Sequence, residues 1–136
     1  MLSIGMGIYR KLVELGITPN IYRRELRQNP SYPATVYDVV SDNAIGTVHD
    51  AGVHCFREAR VQIDIYALTV AEAESIAEQY FDALDNYHGT LSDETSPETT
   101  WDVRIRDAGM NPDMNFQEQP TLRRAEGRSR DYYILY

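Results

Sequence analysis

One cysteine, Cys55, and one lysine, Lys11, stand in a chain of 136 residues. A single cysteine excludes a disulfide within the chain and a zinc cage built on several thiolates. No apolar run approaches the roughly 20 residues of a membrane helix. Residues 1–15 carry glycines and charges where a secretory signal needs its apolar stretch. These absences predict a soluble protein made in a cytoplasm, with no membrane partner. Basic side chains are also scarce, thirteen against twenty-one acidic, for a formal net charge of −8. Such a balance disfavours a protein that grips nucleic-acid phosphates, because that grip rests on Lys and Arg. No G-x-G-x-x-G, G-x-x-x-x-G-K-[ST] or G-x-S-x-G sequence occurs, so nucleotide binding and a serine-hydrolase elbow have no local support.

Hydrophobic residues make up 43% and charged residues 25%, an ordinary composition for one folded domain spanning residues 1–136. Residues 4–15 predict a helix, with Ile8, Leu12 and Leu15 on one face and Gly16 as its stop. Residues 18–33, with three prolines, predict irregular structure and one short extended piece at 21–23. Residues 35–41 predict a strand, and residues 42–56 a long loop or hairpin tip. In residues 58–67, Ala59, Val61, Ile63, Ile65 and Ala67 alternate with polar neighbours, so a strand has one face on a core and one face solvated. Residues 69–86 predict a helix opened by Thr69 and Glu72 at capping-box spacing and stopped near Gly89. Ala73, Ile76, Ala77, Tyr80, Phe81 and Leu84 form its apolar stripe. Residues 101–106 and 129–136 predict two more strands, and residues 108–128 a long loop of the kind that a partner orders. The expected fold is therefore α+β: a mostly antiparallel four-stranded sheet with helices packed on one face.

Candidate chemistry is sparse. His49, Asp50, His54 and Cys55 lie close together, but at no standard metal spacing; a polar loop explains them better. His54 and Cys55 are chain neighbours and point apart in extended backbone, so they make a poor nucleophile pair. Glu74, Glu78 and Asp82 lie opposite the apolar stripe and read as solvated surface rather than a catalytic pair. Yet they are like charges at i, i+4 spacing with no base on the helix to offset them. No catalytic residue, cofactor or metal is expected. Twelve of the thirteen basic residues are Arg, and ten residues are Tyr. A GC-rich genome accounts for an Arg bias, and so does a protein built for interfaces, where Arg and Tyr are enriched.

The order of segments resembles the small tail-completion (tail terminator) proteins of long-tailed bacteriophages. An N-terminal helix is followed by Ile21-Tyr22; Pro33 leads through Val36-Tyr37 to Ser41; and a glycine-containing loop precedes A-R-V-Q-I-D-I-Y-A at 59–67. The helix T-V-A-E-A-E-S-I-A-E at 69–78 follows, and Arg123-Arg124 precedes an aromatic terminal strand, Tyr132 to Tyr136. The resemblance implies a non-enzymatic virion protein of the neck, assembled in the host bacterial cytoplasm. It implies a homohexameric ring that caps the tail tube and docks onto the head–tail connector.

A ring needs two different patches that fit each other. Glu74, Glu78 and Asp82 are candidates for one, and Arg123, Arg124 and Tyr132 for the other. Val53, Phe56, Met110, Met114 and Phe116, in the two long loops, are candidates for contact with tube or connector. The acidity is concentrated: residues 61–103 hold ten acidic side chains and no Lys or Arg, while the rest nets +2. Six copies would carry about −48. An acidic lumen would let DNA pass without binding it. Three other readings stay open: another neck component such as a head-closure or adaptor protein, a small-molecule-binding or enzymatic α+β domain, and an RNA-binding sheet.

Overall fold

The computed structural model describes residues 4–26, 31–45, 56–92, 100–111, 114–117 and 124–136. Two helices and seven strands follow in the order α1 (Ile4–Leu15), β1 (Asn20–Arg23), β2 (Ala34–Ile45), β3 (Phe56–Ala67), α2 (Val70–Leu84), β4 (Tyr87–Ser92), β5 (Thr100–Met110), β6 (Met114–Gln117) and β7 (Arg124–Leu135). The strands form one curled sheet ordered β1-β2-β3-β7-β5-β4, with β6 also on β7. β5 pairs with residues 130–135 of β7 and β6 with residues 124–127, so the two share one position beside it. β1 runs parallel to β2, and every other pairing is antiparallel.

This corrects the four-stranded, mostly antiparallel expectation. The sheet is mixed and has six positions. β1 corresponds to the short extended piece expected at 21–23, while β4 and β6 are unexpected: both are short, and β4 buries only Leu91, so alternation leaves little trace. Gly89 is a residue of β4, not a helix stop. Two β-bulges hid the extent of the longer strands. One lies between Val39 and Ser41, after which β2 continues to Ile45 and pairs with Phe56. The other lies between Asp107 and Gly109, with β5 running on to Met110. Each extra residue flips the inside–outside phase, so period-2 reading fails beyond it.

Both helices cover one face of the sheet. Ile8 and Leu12 of α1, and Ile76, Tyr80 and Leu84 of α2, join Val61, Ile63, Val103, Ile105, Tyr132 and Ile134 in one buried cluster. α1 lies close against β4 and β5 because Gly7 has no side chain; a Cβ there would meet Trp101 at 3.0 Å and Leu91 at 3.1 Å. Gly16, at φ +63°, ends α1 and donates its N–H to the carbonyls of Val13 and Leu12. α2 starts where the Thr69 hydroxyl accepts the Glu72 amide at 3.2 Å. No described helix is long and apolar enough to cross a membrane.

Three buried hydroxyls join the elements of this layer. Thr18, after α1, lies 2.7 Å from Thr35 of β2, which lies 2.8 Å from the Tyr80 hydroxyl of α2. Thr18 also reaches the Asn20 carbonyl at 3.3 Å. Thr35 and Tyr80 are wholly buried and Thr18 is 4% exposed, so none has water as an alternative partner. Thr35→Val should therefore cost about 2 kcal/mol, because it removes the shortest bond of each of the other two hydroxyls and leaves them only their mutual contact at 3.3 Å. Tyr80→Phe should cost about 1 kcal/mol, because Thr18 and Thr35 keep each other. Urea midpoints at constant m-value test the order; a reversal would show that Thr35 is not the hub.

Candidate functional site

The sheet presents two surfaces of different charge. On the helix-covered side, α2 buries Ala73, Ile76, Tyr80 and Leu84 and turns Glu74, Glu78 and Asp82 to solvent. The ladder is partly offset from outside the helix. Arg128 of β7, itself nearly buried, donates to Glu74 Oε1 at 3.2 Å and to its neighbour Gly127's carbonyl at 2.8 Å. Arg130 donates to Asp107 at 2.7 Å, and its guanidinium stands 4.9 Å from the Phe81 ring. Glu78 and Asp82 have no ion-pair partner among the described residues. Glu74, Glu78, Phe81, Met110, Arg128 and Arg130 line an open groove of about 540 Å³ between α2 and the sheet.

No described helix covers the other face. Across it the strand register sets out two neighbouring rows of side chains. In one, His88, Arg104, Leu135 and Glu58 are successive partners on β4, β5, β7 and β3. In the next, Arg106, Tyr133 and Arg60 are successive partners on β5, β7 and β3. The Tyr133 ring lies between two guanidiniums, 5.4 Å from that of Arg106 and 5.8 Å from that of Arg60. Arg60 is committed to Asp131 at 2.6 Å. Arg104 and Arg106 are exposed and have no carboxylate partner among the described residues. These rows border an open groove of about 620 Å³.

Towards the other end of this face lies a polar network. Asp131, 4% exposed, accepts from Arg60 and from Asn111, the latter at 2.8 Å. Asn111 also donates to the Ser129 hydroxyl at 2.8 Å. Gln62 donates to both oxygens of Asp64, at 3.0 and 3.1 Å. Burial holds the Asp64 carboxyl above its ordinary range, against the hydrogen bonds from Ser129 and Gln62 that lower it. Near the C-terminus, Tyr136 donates to Asp42 at 2.6 Å, and burial together with that bond pushes its hydroxyl up to about 12. These networks fix strand register; they bring no nucleophile to a base. No group of three or more His, Cys, Asp or Glu side chains among the described residues is arranged to hold a metal ion.

The expected interface residues therefore separate. Glu74, Glu78 and Asp82 form one exposed ladder. Tyr132 is a correction: it is 1% exposed within the core, where β3 and β5 flank it, and offers no surface to a neighbour. Arg124 opens β7 opposite Gln117, while Arg123 lies outside the described residues. Phe56 and Met110 are 65% and 58% exposed, at the start of β3 and the end of β5. Met114 and Phe116 are in β6, not in a loop. Val53, His49, Asp50, His54 and Cys55 lie outside the described residues. Sequence reading passed over Arg104, Arg106 and Tyr133. Their alternation was visible, but the pairing that sets β5 against β7 was not. The chain matches no protein-family model, and no curated protein matches it.

Asp64 supplies a pH test. A carboxyl whose folded value exceeds its ordinary 3.8 favours folding when protonated. That contribution is fully present below the unfolded value and is lost as pH rises through the folded one. Asp64→Asn should therefore be more stable than the parent at neutral pH, with the gap closing as pH falls towards 3.8. Chemical denaturation across that range measures it; a gap independent of pH would remove the desolvation account.

Proposed function

We propose that the chain is a non-enzymatic virion assembly protein, a ring-forming tail terminator that closes the tail tube and joins the tail to the head connector. The order of its segments, which resembles that of tail-completion proteins, brings this reading forward. The observation that carries it is the position of the two most exposed large apolar side chains. Phe56 lies at one end of the strands, beside the last pair of β2 and β3. Met110 closes β5 level with the middle of β3, where it pairs with Arg130, itself opposite Ile63. Seven residues of β3 separate the two levels, about 23 Å at ~3.3 Å per residue. A coupler between two different assemblies needs two separate anchors, and exposed aromatic and Met side chains are what interface centres enrich.

The net charge of −8 fits the same task, since acidic side chains around a passage repel DNA phosphates instead of retaining them. The part played by each anchor is tested by variants on purified tubes and heads. Phe56→Ser and Met110→Ser should each keep the oligomer mass of the parent in native mass spectrometry. In negative-stain microscopy one variant should fail to cap tubes, and the other should cap tubes but not take heads. A parent ring that binds heads and ignores tubes would identify a head-closure or adaptor protein instead. Parent protein that stays monomeric with tubes and heads alike would remove the whole reading.

A further inference from the structure

We propose that the groove on the open sheet face, between Arg104, Arg106 and Tyr133, is the seat for the acidic side of α2 from a second copy of this chain. The proposal rests on the ring reading and names the contact that closes it. The groove offers two exposed guanidiniums without carboxylate partners among the described residues. α2 offers two exposed carboxylates, Glu78 and Asp82, in the same condition. The spacings agree. Arg104 and Arg106 are two residues apart on a strand, about 7 Å. Glu78 and Asp82 are four residues apart on a helix, about 6 Å. A helix laid along β5 therefore meets both guanidiniums at once, and Arg is the residue whose planar fork suits a carboxylate.

The two patches cannot meet within one chain, because α2 packs on one side of the sheet and the Arg row stands on the other. Satisfying both takes a neighbour, and each neighbour then offers the same unfilled groove or helix onward. That is a heterologous, head-to-tail contact, which closes into a ring when its rotation divides a circle. Tyr133, fixed between Arg60 and Arg106, supplies a flat apolar floor beside Leu135. Glu58 and His88 border the same groove and bear on its charge. Of these, Glu58 opposes an acidic occupant. Glu74 is already answered by Arg128 inside its own chain, so the two lower rungs of the ladder are the ones without an ion-pair partner among the described residues.

Charge reversal tests this contact. A chain with Arg104→Glu and Arg106→Glu should need about a hundredfold more protein to assemble, since like charges across an interface cost several kcal/mol. A chain with Glu78→Arg and Asp82→Arg should behave alike, and one carrying all four changes should assemble again. Native mass spectrometry reads the oligomer, circular dichroism confirms the fold of each variant, and assembly on tubes is scored by microscopy in parallel. Two-fold variants that keep the parent's assembly overturn the proposal while leaving the ring reading intact. So does a folded four-fold variant that stays apart, or dissociation on reversing Arg123 and Arg124 alone. Binding of a single-stranded oligonucleotide through Arg104 and Arg106, with oligomer mass unchanged, assigns the groove to nucleic acid and also overturns it. A parent that never assembles, alone or on tubes, removes both readings.

Discussion

Three hydroxyls that water cannot reach hold this structure to one arrangement. With one proton each, a relay satisfies all of them: Tyr80 donates to Thr35, Thr35 to Thr18, and Thr18 to the Asn20 carbonyl. Each link joins a different element. Thr18 belongs to the turn out of α1, Thr35 to β2 beside the parallel strand β1, and Tyr80 to α2. Apolar burial alone would let α2 slide or rotate on the sheet, because hydrophobic contact has no direction. Hydrogen bonds in a dry interior do have direction, and an unmade one there is expensive. Tyr80 therefore sets the rotation of α2, and the rotation decides that Glu74, Glu78 and Asp82 face outward as a straight ladder.

The opposite face is held by polar groups instead of a helix layer. Asp131 lies almost out of solvent and accepts hydrogen bonds from Arg60 and Asn111. A buried carboxylate needs such partners, and their loss would leave an uncompensated charge. Arg60 comes from β3, Asn111 follows β5 and Asp131 belongs to β7, so the network clamps the three central strands in register. Register in turn places Tyr133 between Arg60 and Arg106. The same interactions that keep the sheet from slipping build the floor of the groove.

How far the sequence revealed this follows from where its signals are local. α1 was legible to its ends, because Ile8, Leu12 and Gly16 are spaced within the helix itself. α2 was legible for the same reason, with the Thr69 cap in place. β3 was legible because ten residues alternate without interruption from Glu58 to Ala67. Past Val39 and past Asp107 the alternation changes phase at a bulge, so the strand residues beyond read as loop. Tyr132 was expected at a surface because it belongs to an aromatic cluster; its alternation with Tyr133 makes one ring core and the other exposed-face. The Arg104–Arg106 row went unremarked because a cation's partner depends on pairing between strands distant in sequence. The resemblance spoke to assembly, and no local spacing spoke to which faces would meet.

The geometry also divides what the sequence presented as one acidic block. Between residues 61 and 103 the chain holds ten acids and no Lys or Arg, yet α2 and the open face take separate shares. Asp64 stands on β3 opposite Ser129, and Asp102 on β5 opposite Thr90, both away from the helices. Glu78 and Asp82 stand on α2. A carboxylate paired with a neighbour's guanidinium no longer repels passing phosphate, because the field of a close ion pair falls off far faster than that of a lone charge. In the proposed ring, acid used to close the contact would be withdrawn from the passage. Joining copies and repelling DNA would therefore fall on different residues there, with Glu78 and Asp82 spent on the contact.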